Sequence, residues 1–243
     1  MIKNPIFLAF IAGTITFLIT ALGSSIVYFF KKTNKEIHNG MLAFSSGIMI
    51  AASFFSLILP AIETSNNIIL PTIIGFLAGT ILLYILEKIC SKFEKKKSLL
   101  LLFSITLHNI PEGLAIGVAF GTLANTNIGA AIAVSLGIGL QNFPEGAAVS
   151  MPLLKEGYSK TKAFIYGSLS AIVEPIFAFL GAFLVTKTQI LLPYMLMFAA
   201  SAMIYVSITE LIPESQKSQK KDIMSIVFMV GFLIMTILDL TFS

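Results

Sequence analysis

His108-Asn109-Ile110-Pro111-Glu112-Gly113 stands in the middle of an apolar run, and Gln141-Asn142-Phe143-Pro144-Glu145-Gly146 stands in the middle of another. His108 and Glu112 are four residues apart, so on a helix they lie about 40° apart and share a face. Gln141 and Glu145 repeat that geometry. Asn109 with Glu112, and Asn142 with Glu145, share a face at a spacing of three. Each hexad thus points an imidazole or amide and a carboxylate into one space. The prolines add acceptors, because Pro111 has no amide for the Leu107 carbonyl and Pro144 none for that of Leu140. A third acid, Glu174, precedes Pro175 near the middle of a later apolar run. Three carboxylates at such depth, with no lysine or arginine beside them, cannot all stay ionised without a cation. A divalent ion nearly balances Glu112 and Glu145, with His108 and Gln141 neutral. A nitrogen, two carboxylates and an amide suit zinc or a similar first-row ion. Calcium prefers more oxygens, and thiolate-loving ions want cysteine.

The surroundings of these groups must be a membrane. The 243 residues are 56% hydrophobic and 12% charged, with a mean hydropathy of +0.93, whereas a soluble domain carries about 25% charged residues. The single cysteine, Cys90, excludes an internal disulfide framework. A pI near 9.1 does not point to nucleic acid here. All sixteen basic residues are lysines in short loops, which is the pattern of membrane orientation. A spanning helix needs about 20 mostly apolar residues, and the sequence offers eight such stretches. They are read at 5–30, 40–62, 70–89, 98–123, 127–152, 163–186, 189–213 and 223–242. The chain reads as all-α, one transmembrane domain over 1–243, with no separate soluble part. Ala21-Leu22-Gly23 vaguely resembles a cleavage site, but the apolar part continues to Phe30, too long for a signal peptide.

Fourteen of the sixteen lysines fall in the first, third, fifth and seventh loops, leaving Lys3 and Lys187 elsewhere. This bias places the odd loops in the cytoplasm and both termini outside. The hexads then lie near the midpoints of the fourth and fifth spans, which run in opposite directions. Inverted repeats that meet at the midplane are how transporters build substrate sites. Gly113, Gly117 and Gly121, and Gly129, Ala133 and Gly137, recur every four residues and allow close helix approach. Intramembrane ionisable residues are functional by default. Met49 shares a face with Ser45 and Ser53, where a methionine is more often packing than ligand. Glu210 near the inner end of the seventh span, and Glu63 and Asp239 near the outer ends of the second and eighth, are interfacial residues or relay points. His38 beside a lysine-rich edge is solvated.

Eight spans, HNIPEG in the fourth and a second NxPEG hexad in the fifth resemble the ZIP family of divalent metal transporters. The bacterial GufA-like branch, with Gln in place of His in the fifth span, is the most similar, as are Val173-Glu174-Pro175 and the GIMIAASFFSLILPA of the second span. The resemblance covers essentially the whole chain. It implies a primary site of His108, Glu112, Gln141 and Glu145, and a neighbouring second position of Asn109, Asn142 and Glu174, with both hexad glutamates bridging. It matches Met49 to the family's second-span methionine ligand. It also implies an inverted-repeat fold in a 3+2+3 arrangement, ligand-bearing helices that move as a block, and a homodimer. Some relatives carry aspartate where Asn142 stands, so the second position here is the weaker. The FEKKK loop lacks the histidines common between spans three and four, and the sixth span lacks the histidine of many eukaryotic members.

The reading is a permease of the cell membrane, the bacterial inner membrane, carrying Zn²⁺ or a related ion such as Cd²⁺, Fe²⁺ or Mn²⁺ into the cytoplasm. The metal is cargo, with no prosthetic cofactor; the partners are the divalent ion, the lipid bilayer and a second copy, with no nucleic acid. The direction rests on the resemblance. Two other classes compete. An intramembrane metalloprotease lacks an HExxH helix and any second histidine in the membrane. A proton-coupled carrier of a small organic substrate would use the buried glutamates as proton relays. For topology, a cysteine replacing Lys96 is expected to label only from the cytoplasm, and one replacing Asn66 only from outside. Labelling of Lys96→Cys in intact cells by an impermeant reagent overturns the orientation.

Overall fold

The structure, a computed structural model, describes residues 4–29, 35–65, 67–93, 97–122 and 128–242, leaving aside the side chains at 90–105. Lys31, Lys32, Lys95, Lys96 and Asn66, on which the topology reading leans, lie outside the described residues. The described chain is helical, with no strand. Its elements are α1 (Pro5–Ser24), α2 (Ile26–Phe29), α3 (Lys35–Ala52), a π-helical segment Ser53–Ile58, α4 (Leu59–Glu63), α5 (Ile69–Phe93), α6 (Lys97–Gly121) and α7 (Ile128–Lys155). There follow α8 (Lys160–Leu169), α9 (Val173–Lys187), a 3₁₀ turn Gln189–Leu191, α10 (Leu192–Val206), a second π-helical segment Ser207–Leu211, α11 (Ile212–Ser215) and α12 (Lys221–Phe242). Among the described residues, six rods are long and apolar enough to cross a membrane. They are α1–α2, α3–α4, α5, α8–α9, the rod from Gln189 through α11, and α12. The hexads lie in α6 and α7, helices of 25 and 28 residues. Leucines and isoleucines such as Leu22, Ile73, Ile226 and Leu233 point outward, which suits a lipid surround and makes this a membrane protein.

The irregular points have local causes. Asn4 caps α1 by accepting from the amides of Ile6 and Phe7 at 3.0 and 3.4 Å, and Pro5 follows at a first-turn position that needs no donor. The two π segments each precede a proline, Pro60 and Pro213. In them the Leu59 amide reaches back to the Phe54 carbonyl and the Ile212 amide to that of Ser207. A proline ring crowds the carbonyl four residues earlier, and a widened turn gives it room. The sixth span is broken rather than continuous. Pro175 has no amide for the Ala171 carbonyl, so the Glu174 amide takes it at 3.0 Å, while Ala171 and Ile172 bond three residues back. Glu174 therefore opens α9 from the middle of the span. Pro111 and Pro144, by contrast, sit inside unbroken helices.

Glycines set the packing, with partners other than those the stripes suggest. Gly113, Gly117 and Gly121 press α6 onto α9 at Glu174, Ala178 and Val185, not onto α7. Gly146 presses α7 onto α1 at Thr20 and Ser24, whereas Gly137 meets Met235 of α12. Gly75 and Gly79 seat α5 on α10, and Gly47 and Gly231 seat α3 on α12. Contacts between α6 and α9, between α1 and α7, and between α5 and α10 advance in the same direction, so those pairs are parallel. Helices α1, α6, α7 and α8–α9 form one group and α3, α5, α10 and α12 the other, joined where α3 and α12 meet α7 and where α10 meets α6.

The chain also repeats itself end to end, a pattern the sequence reading did not draw. Gly13, Phe44, Met49 and Ser53 recur at the same intervals as Gly167, Phe198, Met203 and Ser207. Contacts obey the repeat: Gly13 packs on Ala178 and Gly167 on Ser24, while Gly79 packs on Phe198 and Gly231 on Phe44. A Cβ on Gly117 would stand 2.3 Å from the Ala178 carbonyl, whereas one on Gly40 meets nothing within 4 Å. Gly117→Ala is therefore expected to destabilise the protein by about 1–3 kcal/mol through overpacking. Gly40→Ala is expected to be neutral or to gain up to about 1 kcal/mol from helix propensity. Thermal unfolding in detergent checks both, and equal effects would contradict this packing.

Candidate metal centre

Unbroken α6 and α7 carry the hexads, and the break before α9 turns Glu174 toward them. His108, Asn109, Glu112, Gln141, Asn142, Glu145 and Glu174 are all buried, the last at 0% exposure along with Glu112, Gln141 and Asn142. Adjacent Gln141 and Asn142 draw Glu112 and Glu174 to α7 one turn before Glu145, so the three acids lie near one another. No lysine is among the buried side chains described. Two amides partly offset the acids. Gln141 Nε2 donates to Glu112 Oε1, and Asn142 Nδ2 donates to both Glu174 oxygens at 2.8 and 2.9 Å. In each couple the amide nitrogen donates to a carboxylate while the amide oxygen is left without a donor.

What remains is a set of buried oxygens without a donor: Asn109 Oδ1, Glu112 Oε2, Gln141 Oε1, Asn142 Oδ1 and Glu145 Oε1. Burying an acceptor without a partner costs about 1–3 kcal/mol, more when it is charged. Among the described residues, no three His, Cys, Asp or Glu side chains are drawn together as a closed metal cage. The donors are instead a mixed group of carboxylates and amides around an electron-rich centre. That composition suits a cation held partly by oxygen.

His108 reaches out of this group. Its Nε2 lies 3.5 Å from Glu210 Oε1, so α6 meets the second π segment through an imidazole–carboxylate contact. Met49 is fully buried. Its sulfur accepts from Ser207 Oγ at 3.7 Å, and its carbonyl accepts from Ser53 Oγ at 2.7 Å. No hydrogen bond described joins Met49 to the seven buried polar residues, so its place at the site stands on the resemblance. His38, expected to be solvated, is half-buried near Glu214. Asp239 and Glu87 each take a hydroxyl, from Ser56 at 2.8 Å and from Tyr205 at 2.7 Å.

Two participants escaped the sequence reading. Ser45 Oγ donates to the Gln141 carbonyl at 3.1 Å, and the Thr16 carbonyl accepts from Asn142 Nδ2 at 3.3 Å. The signal for Thr16 lay in α1, where Gly13, Thr16, Thr20 and Ser24 form a stripe of small residues. An apolar cavity of about 630 Å³ between α1 and α7 is lined by residues such as Ile15, Phe44, Phe120 and Leu136, and by none of the seven polar groups.

Comparisons with known proteins fit this geometry. The sequence profile of the family described as ZIP Zinc transporter matches residues 94–239. The zinc transporter ZIP11 of Xenopus tropicalis is 32% identical over 97% of each chain. The zinc transporter ZupT of Streptococcus mutans is 31% identical over 99% of each chain. The zinc transporter GufA of Myxococcus xanthus is 35% identical over 59% of this chain and 56% of its own. With transporters rather than enzymes on every side, and bacterial relatives among them, the chain belongs to the ZIP zinc transporter family, in a bacterial-type branch.

Proposed function

We propose that this protein carries divalent metal ions, chiefly zinc, across the cell membrane into the cytoplasm through the centre between α6, α7 and α9. The observation that carries this is the group of buried oxygens without donors around Glu112, Gln141, Asn142 and Glu145. A cation satisfies all of them at once, and a neutral organic substrate of ordinary size does not. The large cavity between α1 and α7 is apolar and excludes the polar groups, which weighs against the organic-carrier reading. His108, Glu112, Gln141 and Glu145 hold the primary ion. Asn109, Asn142 and Glu174 hold a second one beside it, with Glu112 and Glu145 bridging and Met49 a further ligand. Imidazole with carboxylate suits zinc, and Cd²⁺, Fe²⁺ and Mn²⁺ accept the same donors.

The working unit is a homodimer of eight-span chains in a 3+2+3 arrangement, both termini outside, in the bacterial inner membrane. α6 and α7 supply the two central spans and complete the eight. Apart from Met49 on α3, the donors ride on α6, α7 and α9, which glycine contacts join to α1 and so to one another. Moving as a block against the other group, they face the site first toward Glu63 and Asp239, then toward Glu210, which already touches His108.

Glu112→Ala and His108→Ala are each expected to abolish zinc uptake into proteoliposomes while leaving the protein folded; near-normal uptake at equal expression would refute the site. Because the donors bind metal only when deprotonated, protons compete with the ion, and apparent affinity is expected to fall as pH drops. Calorimetry in two buffers of different ionisation enthalpy reads the protons released, and zero release contradicts the centre. One ion is expected to bind tightly and one weakly, since Glu174 is the only acid private to the second position. Asn142→Asp should tighten the weak ion. It should also lower the melting temperature of the metal-free protein, because a second carboxylate then faces Glu174 where an amide had donated. An unchanged second ion in that variant counts against the assignment.

A further inference from the structure

We propose that the apolar cavity between α1 and α7 is a lipid site, taking one acyl chain of a membrane phospholipid behind the metal centre. The proposal goes beyond the transport reading and does not depend on it. The cavity measures about 630 Å³, roughly four times the volume at which an apolar cavity already binds benzene. An empty space of this size is costly, because every atom lining it forgoes packing contacts. Water is a poor filler. Thr16 and Ser135 bring the only polar side chains to the wall. Both hydroxyls already bond to their own helices, at 3.0 Å to the Gly13 carbonyl and 2.8 Å to that of Ala131.

Position and shape select an acyl chain. Leu8 and Ile128 stand at one end, near the starts of two parallel helices, and Ile19 and Phe143 stand at the other. From Leu8 to Ile19 the wall runs about 16 Å along α1. That is close to one leaflet of a bilayer whose hydrocarbon core is about 30 Å thick. The side is open to lipid. Ile15, Leu136 and Leu140 line the cavity yet remain 51%, 43% and 44% exposed, so the cavity continues the lipid-facing surface of α1 and α7.

The deep end lies behind the donors. Pro144 lines it next to Glu145, and Thr16 lines it while its carbonyl accepts from Asn142. Phe44 reaches it from α3 of the other group, beside the Ser45 that bonds the Gln141 carbonyl. An acyl chain here touches both groups of helices. It also keeps water from the back of the helices that hold the centre.

The chain has no tryptophan, so one placed at Ile132 on the cavity wall reports alone. The test puts full-length Ile132→Trp into nanodiscs of phosphatidylcholine mixed in varied ratio with its acyl-brominated form, since bromine quenches tryptophan on contact. One chain in one site makes quenching rise in proportion to the brominated fraction. Leu233→Trp, on the exposed face of α12, meets several lipids at once and should reach most of its quenching at a low fraction. Gly139→Phe then fills the cavity. A Cβ at Gly139 first meets Ile19 Cδ1 at 3.0 Å, the flexible end of a side chain, so a larger residue grows into the space. It should remove most of the quenching at Ile132→Trp and leave that at Leu233→Trp unchanged. Should Gly139→Phe not fold, Gly139→Leu makes the same comparison, and Ser135→Trp stands in for Ile132→Trp on the same terms. Absence of quenching at Ile132→Trp, as when a second copy covers the cavity, would overturn the lipid site. So would a curve like that of Leu233→Trp, or quenching that survives the filling of the cavity. Zinc uptake is not the readout, so a failure of the transport reading leaves this outcome untouched.

Discussion

Three glutamates lie close together with none of the described lysines buried beside them, and two amides can neutralise only part of what that costs. Gln141 and Asn142 each donate to one acid, Glu112 and Glu174, and in doing so leave their own oxygens without donors. Glu145 is left with an unpartnered oxygen as well. Away from bulk water such atoms are costly until a proton, a water or a cation meets them. The centre is in effect defined by what it lacks. A core of this kind would be a defect in a structural protein, while on the proposed transport reading it supplies the affinity for the cargo.

That deficit dictates much of the packing around it. Polar side chains on three helices can converge only if their backbones come close, and glycine permits this where Gly113 meets Glu174 and Gly146 meets Thr20. Glu174 must also point inward from a span that would otherwise run on. The proline after it ends one helix and starts another, so the carboxylate emerges at a helix start, where the field of the peptide dipoles favours negative charge. The same device is absent from α6 and α7, whose prolines leave the helices intact and free carbonyls instead.

Beside broad apolar packing of α7 on α3 and α12 and of α6 on α10, polar contacts join the donor-bearing helices to the rest. Ser45 holds the Gln141 carbonyl from α3, and Glu210 meets His108 from the π segment beyond α10. Both are single polar contacts between otherwise apolar faces, which is the kind of joint that two rigid groups can make and break. Paired π segments before Pro60 and Pro213 give the second group two similar irregular turns, related by the end-to-end repeat.

Composition, apolar run length and the hexads were enough to establish a helical membrane protein with a candidate metal centre, because membrane helices must satisfy their own backbones and an ionisable group in oil is conspicuous by chemistry alone. The span limits follow for the same reason, and α6 and α7 fall within a few residues of 98–123 and 127–152. The sequence could not show which helix each glycine would touch. A four-residue stripe states that a partner comes close but does not name it, and Gly117 proved to face α9 rather than α7. Nor could it show that Thr16 would reach Asn142, or that Glu210 would reach His108, since both contacts join residues about a hundred or more positions apart. Such contacts depend on how the rods are set against one another, and that is decided by the fit of small residues over whole helix faces, a property of the assembled bundle and of no single segment.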